Sequence, residues 1–443
     1  LGKAEEMRVE EAAEAILMAF LAVKKHLREE LSLKAGLYEA TKAYKPKVSA
    51  LRLARKILHV YAIREAAAYP VLDEVLQGGD VGEDARVLLE ILVSAISSGI
   101  ELGEPEKLAI ALRNTMKKLW PRDVEPWLGI IRALTKGELE IPPLESYPKW
   151  FVKMLYRILS KSDAHELMKF QNENRPKTYV ALNTLLASEQ DILEEADKAG
   201  VELIPDKRLQ GIYVLRKAAD TRKFVRLVKR GLLLVQDFSS YYAVLAADPK
   251  PEAKILDVCA APGTKTILMG IHMRNRGVIV SIDSSAERLR THLRRVRKAG
   301  LKIVEDVVAD ATARFPMIVK ADLVLLDPPC SSTGLFWREP VYRWTVKPRH
   351  VKMFAKLQEK MLERCAEHVK ERGFLVYSTC SVSLEENEIL LEDFLKRHPG
   401  FELSEIHPKL GSDGLRGLAE ARRLYPHRDL CNGFFIAKLR KKW

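Results

Sequence analysis

The 443-residue chain is too long for one ordinary hydrophobic core, so two or three domains are expected. With 47% hydrophobic and 30% charged residues, and no apolar run long enough to span a bilayer, it reads as a soluble globular protein. A formal charge of +13 and a pI near 9.3 point to a polyanionic partner, a surface rich in both signs being the other reading.

The start, "LGKAEEMRVEEAAEAILMAF", carries acids where a signal peptide would carry bases, so it reads as part of the fold. A helical pattern follows to about residue 140. Ile16, Phe20, Val23 and Leu27 share one helix face, as do Leu53, Ile57 and Val60, then Leu88, Ile91, Leu92 and Ala95. The intervening lysines and arginines read as solvated faces. Three prolines in "IPPLESYPKW" mark a boundary near residues 141–150.

From Trp150 to Ala247 the texture is mixed. Helical runs such as "WFVKMLYRILS" and "EQDILEEADKAG" alternate with strand candidates "TYVALNTLL" and "IYVLR", and "DPKPEAK" is a second linker. Domains are therefore expected over 1–140, 141–247 and 248–443. In the last of these, the apolar runs "KILDVC", "GVIVSID", "IVEDVVAD", "DLVLLDPP" and "GFLVYSTC" alternate with helical patterns, including "AERLRTHLRRVRKAG" and "HVKMFAKLQEKMLERCAEHVKE". Strand and helix in repeated succession predict an α/β doubly wound, Rossmann-like sheet.

Ligands of such sheets sit beyond the carboxyl ends of the strands. "KILDVCAAPGTKT" ends a strand at Asp257 and Cys259, then turns through Ala260, Ala261, Pro262 and Gly263 towards Thr264 and Lys265. Its small residues let backbone amides approach a ligand. The loop lacks the spaced glycines of a dinucleotide fingerprint and the Gly-Lys-Ser/Thr of a triphosphate loop. Asp283 and Asp310 close the next two strands, where a carboxylate can accept from ribose hydroxyls or an adenine amino group. Helix capping is the alternative for each acid taken singly. An adenosine compound without phosphates fits, and S-adenosylmethionine is one.

The five cysteines are Cys259, Cys330, Cys365, Cys380 and Cys431; none forms a CxxC pair, which argues against a zinc site or a disulfide framework. Two of them end strands. "DLVLLDPPCSSTG" places Cys330 after a stiff diproline, where enzymes that methylate exocyclic amines carry an aromatic residue. "YSTCSVSLEENE" places Cys380 at the next strand end. A thiol there suits attack on a carbon that is not nucleophilic by itself. Cytosine C5 is such a carbon; it becomes reactive once a thiolate adds to C6. Asp327 is placed to support the ring as charge shifts. Cys259, Cys365 and Cys431 read as inert. Glu385, Glu386 and Glu388 read as helix-capping acids, and Asn387 as a residue that holds the loop.

"DVCAAPGTKT", "DPPCSSTG", "YSTCSVSLEENE" and "NGFFIAKL" together resemble the RNA 5-methylcytosine methyltransferase family. That family includes the bacterial Fmu/Sun ribosomal-RNA enzymes and the eukaryotic NOL1/NOP2/Sun proteins. The resemblance covers roughly the C-terminal two thirds, with "SYPKW" and "GLLLVQDFSS" similar to parts of the family's small domain. The N-terminal part is similar in length and texture to the family's NusB-like, RNA-binding domain. The resemblance implies cofactor residues at Cys259 to Lys265, Asp283, Asp310 and Asp327. It also implies Cys380 as nucleophile and Cys330 assisting product release, the reverse of the DNA enzymes. Ser332 departs from the family's usual glycine, and "YPHRDLCNGFF" from its histidine-rich version. The target base must be single-stranded or flipped out. "RLRTHLRRVRK" is either a source of phosphate contacts or a solvated helix face.

The expectation is an S-adenosylmethionine-dependent enzyme acting on a cytidine of ribosomal RNA, with transfer RNA as the alternative. A DNA cytosine methyltransferase and a non-catalytic ribosome assembly factor that binds RNA are the competing classes. A cytoplasmic monomer with no metal and no membrane partner completes the expectation.

Overall fold

The computed structural model describes residues 2–29, 33–76, 82–96, 100–116, 129, 147–313, 315 and 320–443. The chain divides into two compact units, one of residues 1–152 with Arg343–Thr345, the other of 153–342 with 346–443. The expected linker at 141–150 lies largely outside the described residues.

The first unit is helical: α1 (Gly2–Glu29), α2 (Leu33–Tyr44), α3 (Val48–Leu76), α4 (Glu83–Ile96) and α5 (Pro105–Met116). Helix α1 is its axis and packs against the other four. Ile16, Phe20 and Val23 are fully buried, as the 3.6-residue period demands, but Leu27, in the last turn of α1, is exposed. Leu88, Ile91, Leu92 and Ala95 of α4 are buried as expected, and Ile57 of α3 is too.

The second unit holds two sheets. The smaller takes β1 (Tyr179–Leu182), β2 (Val201–Pro205), β3 (Ile212–Ala218) and β4 (Leu233–Gln236) in the order β2-β3-β1-β4, every pair antiparallel. Helices Glu189–Lys198 and Thr221–Arg230 cover one face through Ile192, Ala196 and Leu227. Its other face presents Tyr179, Ala181, Ile212 and Leu234 to the core of the larger sheet.

The larger sheet is built on β5 (Lys254–Val258), β6 (Val278–Asp283), β7 (Val304–Val308), β8 (Ala321–Leu326) and β9 (Val369–Thr379), all parallel, in the order β9-β8-β5-β6-β7. The edge beyond β9 is antiparallel. It comprises β13 (Phe434–Lys441), paired with β9, then β12 (Arg422–Leu424) and β11 (Ser412–Asp413), while β10 (Phe401–Ser404) also pairs with β13. Period-two alternation divides the core cleanly. Ile255, Ile279, Leu323, Leu325, Val376 and Ile436 face helices Phe238–Ala247 and Thr264–His272. Leu256, Val258, Ile282, Val324, Leu326, Leu375 and Tyr377 face helices Pro348–Glu367 and Glu388–Arg397. Parallel strands covered on both faces read as continuous apolar runs, which made them visible in the sequence.

Two local expectations change. "HVKMFAKLQEKMLERCAEHVKE" is helical only to Glu367, because Ala321 N–H already bonds to the His368 carbonyl and Val369 opens β9. "VELIP" forms β2, a short edge strand that its Glu and Pro had hidden.

Candidate active site

The carboxyl ends of β4, β5, β8 and β9 converge. Between the β4 end and the β5 loop lies a cavity of about 230 Å³. Its wall includes Cys259, Ala260, Ala261, Pro262, Thr264, Lys265 and Asp327 from the expected set, with Asp257 beneath. Gln236, Asp237 and Ser240 form the opposite wall and were not foreseen. Gly263 takes φ +99 at the start of helix Thr264–His272, and a Cβ there would stand 2.7 Å from the His292 ring, so the turn needs glycine. His292 is fully buried under the loop, 3.0 Å from Thr266 Oγ1 and 3.1 Å from an Asp306 oxygen.

Asp283 and Asp310 lie off this cavity. Asp283 is buried, accepts from the Ala261 and Ser285 N–H groups and pairs with Arg288 at 3.4 Å. Asp310 is exposed two residues past β7. Hydrogen bonds from the Thr312 N–H and hydroxyl hold its carboxyl below the ordinary value.

Burial lifts Asp257 to about 7, and burial, with Asp327 and Asp283 adding to it, pushes the Cys259 thiol up to about 12. Cys259 is therefore a poor nucleophile near neutral pH. Cys365 and Cys431 are buried, which pushes both thiols well above the ordinary value.

The other two thiols meet. Parallel pairing sets Leu326 opposite Tyr377, so the chain continues from both strands side by side. Ser378 Oγ donates to Asp327 at 2.9 Å, Lys265 Nζ donates to its other oxygen at 2.6 Å, and Cys330 Sγ lies 2.7 Å from Cys380 Sγ. The hydrogen bond with Cys380, then burial, raises Cys330 well above the ordinary thiol value. Cys330 is thus held as a protonated thiol beside Cys380. Ser332 adopts φ +59, the left-handed region, which explains why glycine would suit this position.

The acids after Cys380 are corrected by the structure. None caps the helix Glu388–Arg397, whose first turn follows Asn387 without a side-chain cap. Glu385 pairs with Arg157 at 2.6 Å. Glu388 forms a buried pair with Arg423 at 2.5 Å, and Arg423 also donates to the Val382 carbonyl at 3.0 Å. Glu386 is fully buried between the two cysteine loops. Asn387 does hold the loop: it accepts from Thr379 Oγ1 at 2.7 Å and donates to the Ser381 carbonyl at 2.9 Å. Asn432 and Gly433, just before β13, complete the site. Gly433 N–H bonds to the Gly334 carbonyl and Gly334 N–H to the Cys380 carbonyl, both at 2.9 Å.

The cavity fits the polar end of S-adenosylmethionine. Both polar atoms of the Gln236 carboxamide are buried and lack a hydrogen-bond partner, a cost that a polar ligand would remove. Among the described residues lining the cavity, Lys265 is the one cation, and Asp327 already pairs with it, which disfavours a phosphate.

Comparison with known proteins shows the family. Residues 244–440 match the family model described as 16S rRNA methyltransferase RsmB/F. The ribosomal RNA small subunit methyltransferase B of Escherichia coli is 30% identical over 369 residues, covering 80% of each chain. The solved structure of PH0851 superposes with a TM-score of 0.77 at 25% identity, over 98% of this chain and 99% of that one. NSun6 from Pyrococcus horikoshii, solved with SFG, an analogue of S-adenosylmethionine, gives 0.61 at 25% identity over 68% and 100%. Four other curated rRNA and tRNA (cytosine-C5)-methyltransferases are matched over only 38% to 54% of their own length, whereas the tRNA (cytosine(49)-C(5))-methyltransferase of Pyrococcus abyssi, 31% identical, is matched over 98% of its length. On residues matched, identity and fold alike, the chain belongs to the RsmB/F family of RNA cytosine-C5 methyltransferases.

Proposed function

We propose that this protein methylates C5 of a cytidine in ribosomal RNA, through a transient bond between Cys380 Sγ and C6 of the base. The observation that carries this is the meeting of two thiols beyond β8 and β9, with Asp327 fixed beside them by Lys265 and Ser378. S-adenosylmethionine, when bound, supplies an electrophilic methyl group. The chain's own groups do the rest. Cys380 adds to C6, and the ring's C5–C6 π electrons become available at C5. Asp327, paired with Lys265, accepts a hydrogen bond from the 4-amino group, or from N3 once N3 carries a proton, as charge shifts on the ring. After C5 is substituted and its proton is lost, the C5–C6 double bond re-forms and the Cys380 thiolate leaves, with the Cys330 thiol assisting that release.

Cys259 to Lys265 would cradle the cofactor, and Asp283 and Asp310 would accept from its ribose hydroxyls or its adenine amino group. The wider reading has a NusB-like, RNA-binding domain over 1–140, a small subdomain over 141–247 and the methyltransferase domain over 248–443. It also takes the protein as a cytoplasmic monomer that acts without metal or membrane. Transfer RNA is the alternative substrate, favoured by the tRNA enzymes among the matched relatives.

The test uses purified protein, radiolabelled cofactor and RNA. Wild type should label cytidine at C5, and Cys330→Ala should leave a denaturant-resistant protein–RNA adduct. An adduct through Cys330 instead, or labelling of duplex DNA, would favour the DNA-enzyme arrangement. Bisulfite sequencing of RNA from cells lacking the protein then names the position.

A further inference from the structure

Ser331 and Ser381 each follow one of the two cysteines that meet in the site. They reach the same carboxylate. Glu386 Oε1 accepts from the Ser331 backbone N–H at 2.8 Å and from Gln358 Nε2 at 3.0 Å. Its Oε2 accepts from the hydroxyls of Ser331 at 2.5 Å, Ser381 at 2.6 Å and Ser383 at 2.9 Å. The group has no exposure to solvent, and its five donors come from the loop after β8, the loop after β9 and helix Pro348–Glu367. Tyr377 closes the cluster from below, donating to Gln358 Oε1 at 3.1 Å and to the Glu386 carbonyl at 2.7 Å. Burying an acid in this way is costly unless every lone pair is occupied, and here the donors occupy them. A simple apolar plug would fill the same space more cheaply, so the arrangement calls for a reason.

We propose that Glu386 is a positioning residue that fixes the distance between the two reactive sulfurs, by tying the residue after each cysteine to one buried carboxylate. This rests on the assignment of Cys380 and Cys330 to attack and release. Those two steps need the sulfurs close together but not interchanged: Cys380 must reach C6 while Cys330 stays near enough to serve the departing thiolate. A loop shift of about 1 Å is enough to cost such a step some 10²-fold. Release, which needs both loops in register, is more sensitive than attack, which needs one.

The experiment compares the full chain with Glu386→Gln, which keeps the volume but turns one acceptor into a donor. With neither RNA nor cofactor present, both proteins are treated with diamide. Its N=N bond takes two electrons and two protons from the thiols, giving a Cys330–Cys380 disulfide and a hydrazine. Closure is followed by mass spectrometry of the linked peptides. In folded Glu386→Gln, closure should be about tenfold slower or more, and kcat about 10²-fold lower with KM for RNA falling alongside it, as covalent RNA adduct accumulates ahead of the slowed release. A role in stability alone would lower the unfolding midpoint and leave closure per folded molecule unchanged; that result overturns the proposal. Should Glu386→Gln fail to fold, Ser331→Ala and Ser381→Ala each remove one tie, and closure at the wild-type rate in both overturns it equally. A wild type that closes the disulfide readily but never methylates cytidine would sink the functional reading and leave the thiol-spacing comparison intact.

Discussion

The crossing of the two cysteine loops and the cavity beside it are neighbours with opposite characters. In the crossing, Glu386 and the hydroxyls of Ser331, Ser381 and Ser383 satisfy one another, and Arg423 and Glu388 lock the same loop from behind. In the cavity, the Gln236 carboxamide has no partner, and two acids, Asp257 and Asp327, stand together at one end. The first region is complete without a ligand; the second is not. A site that must hold reacting atoms to a fraction of an ångström is preorganised by the first kind of structure and selects its ligand by the second.

The contrast can be broken from either side. Replacing Cys380 with Ala should cut methyl transfer by at least about 10³-fold, measured with labelled cofactor, while the fold, read by circular dichroism, stays intact. Arg423→Ala leaves Glu388 buried and unpaired, and should cost about 3–5 kcal/mol of stability in a urea titration. On the cavity side, burial raises Asp257 from its ordinary 3.8 to about 7. The folded protein then binds that proton more tightly than the unfolded chain, so the stabilisation is full below about pH 4 and is lost as pH rises through 7. Relative to Asp257→Asn, wild type should lose on the order of 3 kcal/mol between about pH 4 and pH 8, read as the difference in urea midpoints. The smallest effect sharpens the contrast most. Gln236→Leu removes a polar group that only a ligand can satisfy, so it should weaken cofactor binding about tenfold by calorimetry, with no loss of stability in the free protein.

The legible parts of the sequence were those governed by local period. β5, β6, β8 and β9 announced themselves as apolar runs, and their end residues Asp257, Asp283, Asp327 and Cys380 could be placed because a strand end is a local event. Glu386 was not legible. In "SLEENE" it looks like any acid in a solvated tract, and its burial depends on donors some 28 and 55 residues away in sequence. Gln236 was missed for a related reason. It ends β4, in a stretch that read as the tail of a small domain; the available signal was a polar amide directly after "LLLV", at a strand end. Leu27 failed in the other direction, since periodicity says which face is apolar but not whether a neighbour covers every residue on it.

Tyr179, Ala181, Ile212 and Leu234 of the small sheet share one apolar interior with Ile255, Leu323 and Val376 of the large one. A protease or a genetic truncation that cut near residue 250 would therefore not liberate a self-sufficient enzyme, but two fragments each with a raw greasy side. Recombination among relatives meets the same barrier: whatever is grafted in front of this catalytic sheet has to bring, or keep, its four-stranded companion.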